Sequence, residues 1–298
     1  MHLLSCVLVI LAITGNTGTT GFDFLRITPT AREAALAGSP VARPAGALAF
    51  YYNPAGINSS NSAQFTYINH VAGTHLGSIG YTQPIDAGRA IGVGVFYLNS
   101  GTMKRTNEIG EELGTFGVSY ANVNLSGSLQ PRPGLNLGLG IAGLYGTMDT
   151  FFSLALASNI GLLYQPPLPG LNLGFTITNL GFQLKPFSSA RDPMPLEFNL
   201  GASWEPIPEI NLNLNLNQPI DNRFNFRAGV EGWVNQYLAL RLGYNSLGSD
   251  LMGGGGSDAL AGFATGIGIR YDRFQLDYSF TPMVILGTSH RISLGINL

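Results

Sequence analysis

Residues 211–217 read Asn-Leu-Asn-Leu-Asn-Leu-Asn, and comparable alternation recurs through most of the chain. A repeat of two is that of a β-strand whose faces meet different environments. The face carrying Leu212, Leu214 and Leu216 must be covered by a protein core or by lipid. The length, number and spacing of such segments decide between the two.

Composition enters at this point. Charged residues make up 11% of the chain, the hydrophobic fraction is 45%, and Gly occurs 40 times, whereas an ordinary soluble domain carries about 25% charge. A soluble surface this poor in charge is hard to keep dispersed. Beyond the N-terminus no run of about 18 apolar residues occurs, which argues against helical spans. A closed barrel is the other spanning solution, because it pairs every backbone donor and acceptor and leaves no edge in hydrocarbon. The net charge of −2 supplies no basic patch, so nucleic acid is not an expected partner.

The chain runs apolar from Leu3 to Ile13 and then small and polar from Thr14 to Gly21. This reads as a secretory signal over residues 1–21, although no Lys or Arg precedes the apolar run. Cys6 is the single cysteine and lies inside it, so disulfides, thiolate catalysis and cysteine metal sites are not expected.

Period-2 runs bounded by Gly, Pro, Asn and Asp are expected as strands at 62–70, 75–83, 88–98, 113–129, 134–146, 151–165, 170–180, 195–204, 209–217, 223–233, 237–246, 260–271, 274–281 and 289–298. Most run about 9 to 13 residues, the length of a tilted transmembrane strand, against about 5 or 6 in soluble sheets. The connections sort by parity. The short ones fall at 84–87, 130–133, 166–169, 205–208, 234–236 and 272–273. The others include every long one, at 99–112, 181–194, 247–259 and 282–288. Outer-membrane barrels have short periplasmic turns and longer extracellular loops; a soluble sandwich has no reason to sort them. The expected fold is therefore all-β, a 14-stranded antiparallel transmembrane barrel over 62–298. A short N-terminal helical plug over 22–61 precedes it. With both chain ends placed in the periplasm, the long set lies outside the cell.

Face assignment in the last strands puts Phe226, Leu240, Leu242, Ile267, Leu276, Ile292 and Leu294 outward. Arg227, Glu231, Arg241, Arg270, Asp277 and Arg291 share the inward parity, as they should when an Arg on the lipid face costs about 2–4 kcal/mol at midplane. A two-residue hairpin at Asp272-Arg273 would set Arg270 opposite Gln275 and diagonal to Asp277. Such charges either line a functional lumen or neutralise one another in a narrow one. Gly138, Gly140 and Gly143 spell GxGxxG inside a strand with no helix after it, so they read as inward positions in a tight lumen rather than as a dinucleotide site.

The segment ahead of the first strand contains Ala31-Arg32-Glu33-Ala34-Ala35-Leu36-Ala37-Gly38 and then Phe50-Tyr51-Tyr52-Asn53-Pro54-Ala55-Gly56-Ile57. The first stretch is a good short helix. In the second, Pro54 fixes an extended Asn53 before a turn that Gly56 can close. These motifs, together with Leu240-Arg241-Leu242-Gly243-Tyr244-Asn245 and Leu286-Gly287-Thr288-Ser289-His290-Arg291 near the end, resemble the PorV/PorQ family of outer-membrane barrels, related to the FadL fatty-acid transporter. The resemblance spans the mature chain. It departs at Val41–Gly46, where the family often carries an acidic pair, and at the terminal Leu298. It implies that the Asn-Pro-Ala-Gly turn tucks into the barrel as a plug, with Arg32, Glu33, Gly38, Asn53, Pro54, Ala55 and Gly56 as plug or gating positions. The alternative is that Asn53, Pro54 and Gly56 merely close a turn.

No enzyme constellation, metal site or cofactor motif emerges: His70, His75 and His290 fall near strand ends, and neither a Gly-x-Ser-x-Gly elbow nor an HExxH is present. The resemblance to PorV/PorQ implies a type IX secretion component that binds or shuttles secreted substrate proteins at the outer membrane. The wider FadL-like likeness implies passive passage of hydrophobic small molecules such as long-chain fatty acids. The expected setting for both is outer-membrane lipid. The loops at 181–194 and 247–259 carry only Phe182 and Phe187 as aromatics, which favours the protein-interaction reading.

Overall fold

The computed structural model describes residues 18–57, 61–252 and 254–298; most of the expected leader falls outside them. The strands are β1 Ser62–Asn69, β2 His75–Asp86, β3 Arg89–Asn99, β4 Met103–Thr106, β5 Glu112–Phe116, β6 Val118–Arg132, β7 Leu135–Met148, β8 Phe151–Tyr164, β9 Leu171–Lys185, β10 Glu197–Ile207, β11 Ile210–Pro219, β12 Asn225–Trp233, β13 Leu238–Asn245, β14 Phe263–Tyr271, β15 Phe274–Pro282 and β16 Thr288–Asn297. All but β4 and β5 join one closed 14-strand antiparallel barrel, each paired with its neighbours and β1 closing against β16.

The pattern is inside-out relative to a soluble protein. On β11, Asn211, Asn213, Asn215 and Asn217 are buried in the lumen while Leu214 is 44% exposed; Ile79, Leu125 and Leu240 on other strands are exposed by half or more. An apolar belt around a closed ladder is stable only against hydrocarbon, so the barrel spans a membrane. Loop parity holds. The turns at 87–88, 133–134, 165–170, 208–209, 234–237 and 272–273 share one end, and all the longer loops share the other. Asp272-Arg273 closes the expected two-residue hairpin, with Arg270 opposite Gln275.

Two expectations change. The run expected as a single strand over 113–129 breaks at Gly117, and its first part pairs with Met103–Thr106 in a separate external hairpin. The Asn107 side chain accepts from the Ile109 and Glu111 amides to fold the hairpin tip. The described chain also starts at the end opposite to that expected for the N-terminus. The Gly21 amide donates to Pro193 O and the Thr20 hydroxyl to Asp221, both on long loops. From there the segment descends through the lumen to Ile57 at the short-turn mouth, the end at which the Leu298 amide donates to Asn61 O.

Candidate functional site

The candidate positions lie inside the barrel, where the N-terminal segment meets the wall. At the short-turn end, the Asn53 side chain is fully buried and completes three bonds: Nδ2 donates to Val41 O at 3.0 Å and to Leu162 O at 3.1 Å, and Oδ1 accepts from the Ala55 amide at 3.0 Å. Pro54–Gly56 form a 3-10 turn after it. The wall accommodates this turn because Gly138 and Gly161 face one another across β7 and β8. A Cβ at Gly138 would lie 2.1 Å from the Ala55 nitrogen, and one at Gly161 2.1 Å from Asn53 Oδ1. Gly138 is thus a notch for the plug, as the tight-lumen reading expected. Gly143 has the opposite parity and meets nothing within 4 Å.

The plug helix, α1 (Ala31–Ala35), follows Thr30, whose side chain makes no capping bond to the helix backbone. Thr30 Oγ1 donates to Glu33 Oε2 at 2.5 Å, and the Ala31 amide donates to Ser293 Oγ on the wall at 2.8 Å. Arg32 and Glu33 are both buried. Arg32 grips Glu231 of β12 with two bonds at 2.9 and 2.8 Å and bonds Glu33 at 2.8 Å. Glu231 also accepts from Arg241 Nε at 2.6 Å, and Arg241 Nη1 donates to Asp277 at 2.7 Å. Plug and wall therefore share one ionic network of two arginines and three carboxylates. Its members solvate one another where water does not, the arrangement a buried charge requires. Above it Arg26 bonds Glu197 at 3.0 Å and pairs with Asp221; below it Arg43 pairs with Glu205.

The other expected lumen residues divide. Arg270 does not line the lumen. Its parity is inward, but it sits at the short-turn rim, exposed, with its guanidinium 4.2 Å from the centre of the Trp233 ring, so Asp277 takes Arg241 and Gln275 as partners instead. Gly38 adopts a left-handed φ of 74° and lies against Arg227, whose Nη2 reaches Asn217 Oδ1 only at 3.5 Å. Arg291 is buried and donates to Thr28 O of the plug at 3.2 Å and to Thr281 Oγ1 at 3.3 Å.

At the long-loop end the lumen changes character. Phe96, Leu98, Ile68, Leu76, Leu144, Ala142, Ala155 and Ala157 point inward and form an apolar chamber. The N-terminal segment fills it with Phe22 and Phe24. The Phe24 ring stacks on Tyr120 at 5.1 Å and on Phe96 at 5.7 Å. Inward parity in β3 selects Ala90, Gly92, Gly94, Phe96 and Leu98, opposite an outward row of Ile91, Val93, Val95 and Tyr97. Both faces are apolar, so alternation carried no polarity signal there; the usable signal was an inward row of small residues ending in large ones.

The three barrel-end histidines bond hydroxyls: His70 to Ser289 at 2.9 Å, His75 to Tyr67 at 2.9 Å and His290 to Tyr278 at 2.7 Å. No cluster of three His, Cys, Asp or Glu suited to a metal occurs among the described residues. Burial, reinforced by the nearby Arg291 charge, lowers the His70 pKa to about 4. An ordinary His titrates near pH 6.5, so folding keeps His70 neutral. The stability this confers is complete above about pH 6.5 and is lost as pH falls towards 4. Unfolding midpoints measured from pH 7 to 4 should therefore drop more steeply for the native chain than for His70→Gln; parallel curves would refute this.

No protein-family model and no curated protein matches the chain. Solved structures do. The Pseudomonas putida toluene transporter TodX aligns with TM-score 0.61 at 13% identity, covering 96% of this chain and 98% of that one. A Pseudomonas aeruginosa FadL homologue aligns at 0.60 and 11% over 90% and 97%, and the CymD monoaromatic hydrocarbon channel at 0.60 and 11% over 93% and 97%. The chain has the FadL-like fold of bacterial outer-membrane barrels.

Proposed function

We propose that the protein is an outer-membrane conduit for hydrophobic small molecules, with residues 22–57 as its plug. The apolar chamber carries this reading. A passage for polar solutes has no use for Phe96, Tyr120 and Leu144 facing inward around Phe22 and Phe24, whereas apolar ligands partition into such a site. Phe22 and Phe24 hold the place an apolar solute would take. The shared architecture with hydrocarbon channels supports the same reading. Entry of a solute then requires the segment to yield, and the ionic network and the Asn53 seat set how readily it does.

The test is uptake of radiolabelled toluene and of a long-chain fatty acid by Gram-negative cells that lack their own such channels. Uptake should rise when this barrel is present and return to background with Ala142→Trp, which fills the chamber from the wall. A heat-modifiable gel band shows that each barrel is folded. A folded native barrel that adds no uptake would overturn the conduit and leave the secretion role, the second reading. That role draws on the motif resemblance and on the external hairpin, whose Ile109 and Leu113 are 79% and 60% exposed among acidic neighbours, apolar side chains available for contact with a protein partner.

A further inference from the structure

One polar side chain stands among the walls of the apolar chamber. Asn122 of β6 lies directly opposite Phe96 of β3 and Leu144 of β7, both chamber residues. It is buried, and its Oδ1 has no hydrogen-bond partner among the described residues. The Tyr51 hydroxyl of the plug is buried and unpartnered in the same way. A buried polar atom left unpaired is costly, and native folds rarely leave one without a ligand, an ion or water to meet it. Both groups line a cavity of about 70 Å³ beside the chamber, and Phe96 is a wall the two spaces share. That is room for a few waters, or for the polar end of a ligand whose body lies in the chamber.

We propose, building on the conduit reading, that the chamber selects a small neutral alcohol or phenol. Its compact apolar body takes the place of the Phe24 ring against Phe96 and Tyr120, and its hydroxyl donates to Asn122 Oδ1 and accepts from the Tyr51 hydroxyl. A hydroxyl is the matching head because it is donor and acceptor at once; a hydrocarbon leaves both protein groups unpaired, and a carboxylate has no proton to give Asn122 Oδ1. The charges on the cavity wall do not favour an acid either. Arg227 lines it with Nε unpartnered, but Glu197 lines it too, and Arg26 is already shared among Asp23, Glu197 and Asp221. With two arginines against three carboxylates, the site holds no surplus of positive charge to draw an anion.

Calorimetric titration of 2-phenylethanol, ethylbenzene and phenylacetate into the full-length barrel in a non-ionic detergent, against protein-free micelles, tests this. The alcohol should bind at least about tenfold tighter than the hydrocarbon, the effect of bonds to groups otherwise left unpaired, and tighter than the acid. Asn122→Leu and Tyr51→Phe should each bring the alcohol down towards the hydrocarbon, with the heat-modifiable gel band showing that each variant is folded. An alcohol that binds no tighter than ethylbenzene, an acid that binds tighter than the alcohol, or a preference undiminished in either folded variant overturns the proposal. Binding is read without transport. Toluene uptake with no hydroxyl preference would sink this proposal and leave the conduit standing; a hydroxyl preference without uptake would sink the conduit and leave the binding site.

Discussion

Glu231→Ala is expected to destabilise the seated plug by about 3–5 kcal/mol, the range for breaking a buried charge cluster by removing one partner. Glu231 accepts two bonds from Arg32 and one from Arg241. Without it, Arg32 retains Glu33 and Arg241 retains Asp277, but each guanidinium is left with an unanswered face inside the barrel. The barrel's backbone ladder does not depend on that carboxylate, so the loss should fall on the plug. Protease cleavage within residues 31–57 should become faster, at denaturant concentrations that leave the barrel's gel mobility unchanged. Exchanging Arg32 and Glu231 together for Met should cost less than Glu231→Ala alone, because no charge is then stranded. Unaltered protease protection in Glu231→Ala would show that the network contributes nothing to seating.

The barrel was legible because lipid imposes polarity on a period of two. The Asn-Leu run of β11 lies as its alternation required, and the outward residues of β12 to β16 fall where their parity put them. Parity, however, says which face a residue takes and nothing about its height along the barrel axis. Arg270 and Asp277 share a face, yet one sits at a wet rim beside Trp233 and the other beside Arg241. The link from Arg32 to Glu231 joins residues 199 apart, and only the path of the segment through the lumen brings them together. The apolar chamber was illegible for a different reason. Alternation reveals a lumen only where the lumen is polar, and β3 is apolar on both faces. The external hairpin escaped because a strand's period does not name its partner.

Gly161→Val should unseat the Asn-Pro-Ala-Gly turn and convert a plugged barrel into a conducting one. A Cβ at Gly161 would stand 2.1 Å from Asn53 Oδ1 and 2.8 Å from Pro54 Cδ, and the facing Gly138 offers no room for the turn to shift, since its backbone already lies against Ala55. Overpacking of this kind costs about 1–3 kcal/mol. Expelling the turn also forfeits the three Asn53 bonds, each worth about 0.5–1.5 kcal/mol. The strand itself tolerates Val, whose branched side chain suits extended backbone, so the wall should close as before. In planar bilayers the native barrel should give a low, quiet baseline and Gly161→Val a sustained conductance. Gly143→Ala, at a position with nothing within 4 Å, should match the native trace. If Gly161→Val conducts no more than the native barrel, the turn is packing material rather than a seat for the gate.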